Sequence, residues 1–186
     1  MHALQKVVLL IAATVVAIFL VVWTFDAFGF ASPISALLIN WLAMSWVAIV
    51  GQVVNFSIAS KYYDIKLFEK TGKVYERLGI RLFKKMVRRG PFSIFSPPLR
   101  FPETKTVPAL RNLEREMRKA ETGHLLIFIL MLLLAGYAWL NGWLDAVVWM
   151  SLFNLLFNVY PIMLQRYNRI KLHELVRQHN QGKADL

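Results

Sequence analysis

Four long apolar blocks, separated by polar stretches, dominate the hydropathy pattern of the chain. The first, Val7 to Phe25, contains no charged residue, and its 19 residues reach roughly 28 Å as a helix, enough to cross the hydrocarbon core of a bilayer. The second runs from about Ile34 to Ala59, with Pro33 suited to a helical first turn where its missing N–H does no harm. The third and fourth, about Leu125 to Leu140 and Leu144 to Leu164, are joined by Asn141-Gly142, a turn signal that predicts a helical hairpin. The expected fold class is therefore all-α: a polytopic membrane protein, residues 1–186 forming a single membrane domain with four transmembrane helices. A cleaved signal peptide is the alternative for the first block. Lys6 is the only certain charge ahead of it, and the block exceeds the about 7–15 apolar residues of a signal sequence, so a retained helix is expected.

Between the second and third blocks lies a different pattern, residues 61–123. From Ile65 to Val87 apolar residues recur at helical spacing (Leu67, Phe68, Tyr75, Leu78, Leu82, Phe83), with Lys and Arg filling much of the remainder. This predicts a basic amphipathic helix, or two broken near Gly79, lying in the cytoplasmic membrane interface and ended by Gly90-Pro91. A proline-rich irregular loop, Phe92 to Pro108, follows. A charged helix from Ala109 to Glu121 then leads into the third block.

Composition sharpens this picture. Apolar residues make up 57% of the chain and mean hydropathy is +0.47. There is no cysteine, which excludes disulfides, thiolate nucleophiles and Cys-ligated metals. The net charge of +11 would suggest nucleic acid in a soluble protein; here it is expected to face membrane lipids with anionic headgroups, with no nucleic acid as partner. All 22 Lys and Arg residues fall in the N-terminal tail, between Lys61 and Lys119, or between Arg166 and Lys183. The short connections at 26–32 and 141–143 have none, so the positive-inside rule places the N-terminus, the 61–124 segment and the C-terminus in the cytoplasm of a multi-pass cell-membrane protein. Composition sets no oligomeric state.

Polar residues inside the blocks are the candidates for chemistry. Ser151, Asn154, Asn158 and Gln165 form one helical stripe, and Ser45, Gln52 and Asn55 another. They serve either as interhelical hydrogen bonds or as a polar cleft. His124 lies where the charged helix enters the membrane, three positions after Glu121 and hence on the same helix face. It is either an interfacial histidine or a general base that the carboxylate orients. His2, His173 and His179 are placed in exposed tails with no specific role. The string Gln165-Arg166-Tyr167-Asn168-Arg169 is either a basic stop-transfer cap or a guanidinium clamp for phosphate. Acyltransferase HxxxxD, GxSxG, P-loop, GxGxxG and HExxH motifs do not occur, and no metal site is expected.

Three segments carry a resemblance. They are Phe68-Glu69-Lys70-x-Gly72-Lys73-x-Tyr75-x-x-Leu78-Gly79-Ile80 followed by Phe83-Lys84-Lys85; Glu116-x-Arg118-Lys119-Ala120-Glu121-x-x-His124; and Asn158 followed by Gln165-Arg166-Tyr167-Asn168-Arg169-x-x-Leu172. In this order they resemble the glycosyl-4,4'-diaponeurosporenoate acyltransferase family, bacterial membrane proteins of staphyloxanthin-type carotenoid biosynthesis. The proline expected two residues after the asparagine comes one later here, as Pro161. The resemblance implies transfer of a fatty acyl group to the sugar hydroxyl of a glycosylated carotenoid or related glycolipid. It requires no cofactor beyond acyl-CoA or a similar acyl donor as co-substrate. His124 would act as base with Glu121, Arg166, Arg169 and Lys84 would bind donor phosphates, and Asn158 or Tyr167 would serve the oxyanion. Gln165 and Asn168 would line the substrate site, and Glu69, Tyr75 and Glu76 would shape an interfacial lid. The alternative is a non-enzymatic membrane protein that binds anionic lipid or a partner through its basic amphipathic segment.

Overall fold

The computed structural model describes residues 2–54, 61–89 and 107–184. The described residues are helical: α1 (Ala3–Phe28), α2 (Pro33–Val53), 3-10 turns at Lys61–Tyr63 and Leu67–Glu69, α3 (Lys73–Arg77), α4 (Ile80–Arg89), α5 (Val107–Leu140), α6 (Leu144–Asn154), a π-helical turn at Leu155–Val159, and α7 (Tyr160–Ala184). Four helical stretches are long and apolar enough to cross a membrane: Ala3–Phe28, Pro33–Val53, Pro108–Leu140 and Leu144–Arg177. The protein is thus an all-α membrane protein. The proline-rich stretch, Asn55 and the end of the second apolar block lie outside the described residues. Two compact units share the chain, one of residues within 2–54 and 122–159, the other within 61–121 and 160–184.

In the first unit, α1 and α2 form a hairpin. Gly29 ends α1 at φ 76°, a conformation glycine adopts at no steric cost, and its N–H donates to the Phe25 carbonyl at 2.9 Å. Ser32 caps α2 by accepting the Ile34 N–H at 3.2 Å, and Pro33 occupies the first turn. Ser35 Oγ donates to the Gly29 carbonyl at 2.6 Å, and Trp46 Nε1 to Thr14 Oγ1 at 3.0 Å. These side chains satisfy their polar atoms locally, as hydrocarbon surroundings demand. Asn141-Gly142 turns α5 into α6 as expected, with Gly142 at φ 73°. Ala36, Ile39, Ile127, Met131, Ala135 and Met150 form the core, while Val8, Ile11, Val15, Ile18 and Val22 of α1 remain exposed. An apolar surface of that extent is compatible with lipid and not with water. At the turn end, the rings of Phe30, Tyr137 and Trp143 lie within 5.9 Å of one another.

The second unit corrects two sequence expectations. The basic segment is not one long helix: it breaks at Gly79 (φ 80°), as allowed for, and also at Gly72 (φ 69°), leaving a 3-10 turn, α3 and α4. The fourth apolar block does not stop at Leu164; α7 continues the helix through Gln165–Arg169 to Ala184. Tyr75, Ile80, Tyr167 and Ile170 make one core, and Leu110, Met117 and Leu172 a second. A Cβ on Gly72 would meet the Tyr167 ring at 3.1 Å, whereas one on Gly79 would meet nothing within 4 Å. Both substitutions to alanine are strained by positive φ, at about 1–3 kcal/mol each. Gly72→Ala is therefore expected to lower the melting temperature in nanodiscs more than Gly79→Ala does. Equal shifts would show that the approach of Tyr167 adds nothing.

Candidate functional site

Each unit builds one polar centre. In the second, α7 supplies Arg166 and Arg169, three residues apart and so on one side of the helix. α5 supplies Glu121, the 3-10 turn supplies Glu69, and α3 supplies Tyr75. Glu69, Glu121 and Arg169 are at most 1% exposed.

Every donor of Arg166 is occupied. Nε reaches Glu69 Oε2 at 3.0 Å and the Tyr75 hydroxyl at 3.2 Å. One terminal nitrogen donates to the Tyr62 carbonyl at 3.2 Å and Glu121 Oε1 at 3.0 Å. The other donates to the Asp64 carbonyl at 3.3 Å and Glu69 Oε1 at 2.5 Å. Arg169 donates to the Tyr63 carbonyl at 2.5 Å and to Glu121 Oε2 at 2.7 Å. Two carboxylates thus neutralise two guanidiniums, and the backbone carbonyls of 62–64 take further N–H groups of both, while Arg169 Nε is buried with no partner among the described residues. Glu69 also accepts the Lys66 N–H at 2.7 Å and the Tyr75 hydroxyl. Burial alone would push its carboxyl up, but the bonds from Arg166, Tyr75 and Lys66 outweigh burial and hold it at about 2. Burial, then the bond to Glu69, pushes the Tyr75 hydroxyl up to about 12, so it stays a donor.

The remaining expected residues of this unit make contacts outside that network. The Tyr167 hydroxyl donates to Glu76 Oε1 at 2.8 Å, and Arg81 pairs with the same carboxylate at 2.7 Å. Lys84 Nζ donates to Asn168 Oδ1 at 3.0 Å and lies 5.8 Å from the Tyr167 ring centroid. Burial and the nearby Arg88 pull the Lys84 ammonium below its ordinary range. Gln165 is buried, with Oε1 lacking a partner among the described residues. His173 is not in a tail free of partners: its Nε2 lies 3.1 Å from Glu114 Oε1.

The first unit holds the amides and the imidazole. Asn158 gives one N–H to Asn40 Oδ1 at 2.8 Å and the other to Asn154 Oδ1 at 2.9 Å. Asn154 donates to the Phe128 carbonyl at 3.1 Å, and Asn40 to the Ala36 carbonyl at 3.2 Å. With both its donors used, Asn158 presents its oxygen to His124 Nδ1, 3.5 Å away. The Phe157 backbone is a second partner of the ring. The π-helical turn accounts for this second bond. Pro161 has no N–H for the carbonyl four residues back, and that carbonyl is Phe157's. Ser45, Gln52 and Ser151, read as members of the polar stripes, are exposed instead. Asn40, which sequence reasoning passed over, closes the amide chain; its single-residue signal was an asparagine within the apolar run Ala36–Met44.

Glu121, expected beside His124, has one oxygen on Arg166 and the other on Arg169, while the His124 ring meets Asn158 and the Phe157 backbone. Among the described residues no group of three His, Asp or Glu side chains converges on a metal position.

A family model described as glycosyl-4,4'-diaponeurosporenoate acyltransferase matches residues 59–178. No curated protein and no solved structure matches the chain.

The Glu69 site has a signed pH dependence. An exposed glutamate takes its proton near pH 4.3, whereas folded Glu69 keeps its charge down to about pH 2. Its ion pairing contributes fully above about pH 4.5 and is lost as pH falls toward 2, a change on the order of 3 kcal/mol. Denaturation of native protein and Glu69→Gln in nanodiscs should give a large stability gap at pH 7 that narrows steadily below pH 4.5. A gap independent of pH would remove the ionised state of Glu69 as its origin.

Proposed function

Because the chain belongs to the glycosyl-4,4'-diaponeurosporenoate acyltransferase family, we propose that it transfers a fatty acyl group to a sugar hydroxyl of a glycosylated carotenoid or related glycolipid at the cytoplasmic face of the membrane. The single observation that carries the chemistry is the held imidazole of His124. Its ring is fixed by Asn158 and by the Phe157 backbone, and Asn158 is held in turn by the amides of Asn40 and Asn154. A fixed, partly buried imidazole at the foot of an apolar helix half suits proton abstraction from an alcohol.

In the proposed reaction the neutral ring takes the hydroxyl proton as the sugar oxygen attacks the carbonyl carbon of an acyl thioester. The tetrahedral oxyanion then collapses, the C–S bond breaks, and the imidazolium returns its proton to the departing thiolate. The products are a sugar ester and a free thiol, with no oxidant or reductant needed. Asn158, pinned by Asn40 and Asn154, keeps the ring in place as positive charge arises on it. Arg166 and Arg169, with Glu69, Glu121 and Tyr75, are proposed as positioning residues, because Arg166 bonds Glu69, Tyr75 and Glu121 and Arg169 bonds Glu121. Gln165, Tyr167, Asn168 and Lys84 are proposed to border the substrate. A lipid acceptor supports a site at the membrane face, since its apolar chain stays in the bilayer. The charge asymmetry supports cytoplasmic termini and a cytoplasmic 61–124 segment.

Lipid mass spectrometry on cells supplied with a glycosylated carotenoid acid tests this reading. Native protein should produce an acyl ester, and His124→Ala should reduce its rate by about 10²–10⁴-fold at equal protein level. His124→Gln, which keeps hydrogen bonding without basicity, should be as poor. A glutamine variant with native ester yield would falsify the general-base role. No ester from well-expressed native protein on any glycolipid offered would leave the membrane-binding alternative standing.

A further inference from the structure

With every Arg166 N–H engaged, and Arg169 bound to Glu121 and the Tyr63 carbonyl, the Arg166–Arg169 pair leaves little to offer a donor's phosphates. α4 offers what they lack. Its ten residues, Ile80–Arg89, carry five cations and no carboxylate. Ile80 is buried and Phe83 packs beside it in the core with Tyr167, which turns the rest of the helix outward. Arg81, Lys85, Arg88 and Arg89 line a shallow groove of about 230 Å³, and all four are exposed. Arg81 is shared with Glu76 at 2.7 Å, but among the described residues no carboxylate pairs with Lys85, Arg88 or Arg89. Beside this row runs an exposed apolar one, with Leu82 at 64% and Met86 at 48% exposure, four residues apart on one face. The groove is sized for the polar end of a ligand, not for a whole one.

We propose that the outer face of α4 binds a phosphate-bearing acyl amphiphile, its phosphates on Lys85, Arg88 and Arg89 and its chain laid along Leu82 and Met86. Guanidinium groups take phosphate through paired N–H donors, and three cations within five residues suit a ligand with more than one phosphate. Acyl-CoA is the source that the acyltransferase reading calls for, and the inference rests on that reading. An anionic phospholipid of the leaflet presents the same chemistry.

Binding separates the two sources without relying on turnover. Native protein and the triple variant Lys85→Gln, Arg88→Gln, Arg89→Gln are placed in phosphatidylcholine nanodiscs and titrated calorimetrically with CoA and with pantetheine. The three residues are exposed, so matched melting temperatures are expected and are checked first. CoA should bind native protein, pantetheine should not, and the variant should bind CoA about tenfold more weakly or worse, with a native affinity that falls as salt rises. Undiminished CoA binding by the variant overturns the assignment to α4. Absence of CoA binding overturns acyl-CoA as the source; phosphatidylglycerol retained by native protein but not by the variant in native mass spectrometry then gives the groove to a lipid headgroup. If neither ligand binds, the face is solvated surface and the proposal is overturned outright. Native protein that binds CoA through these residues yet forms no ester keeps the α4 site and removes the acyl-transfer reading of His124.

Discussion

Two guanidinium groups one helical turn apart cannot both leave water unless negative charge leaves with them. Desolvating each ion is expensive, and their mutual repulsion grows as the surroundings become less polarisable. Arg166 and Arg169 face this constraint, and the second unit is organised around its solution. Glu121 from α5 bridges both arginines, and Glu69 from a separate turn takes the outer side of Arg166. Because carboxylates alone leave N–H groups over, the carbonyls of 62–64 must turn inward as well. The path of the chain from residue 61 to residue 77 follows from that need more than from any helical preference of its own.

This explains why a segment with helical periodicity does not form one helix. Gly72 reverses the chain so that Glu69 can reach Arg166 while Tyr75, six residues on, donates to the same carboxylate. Gly79 then redirects α4, so that its apolar positions Ile80 and Phe83 meet α7 while Arg81, Lys85, Arg88 and Arg89 face outward. Local propensity favours a continuous helix; buried charge pairing overrides it. The division of labour among cations follows: Arg166 and Arg169 of α7 are consumed by the fold, and Lys85, Arg88 and Arg89 of α4 remain for binding.

How far the sequence spoke depends on the scale of the interaction. The apolar blocks, the Asn141-Gly142 turn and the break at Gly79 were legible because each is a local property of a short window. Glu121, Arg166 and Arg169 were singled out by position and Glu69 by the resemblance, but their joining into one network was not legible, since it links residues from 45 to 97 positions apart. The backbone acceptors at Tyr62, Tyr63, Asp64 and Phe157 had no sequence signal, because every residue carries the same carbonyl. Pro161 came nearest to one: a proline inside a helix announces a freed carbonyl without saying which side chain will use it. Asn40 was hidden for a simpler reason: its side-chain partner, Asn158, lies 118 residues away in the sequence.

The balance of charge in the Arg166–Arg169 network has an electrical consequence. A charged group in a bilayer feels the transmembrane potential, at about 2.3 kcal/mol per elementary charge for each 100 mV. Glu69 and Glu121 offset Arg166 and Arg169 one for one, so the network as a unit carries no gating charge. Energising or depolarising the membrane therefore exerts no net pull on it. These four side chains therefore add no net charge for the potential to move, unlike a voltage sensor built from unpaired arginines.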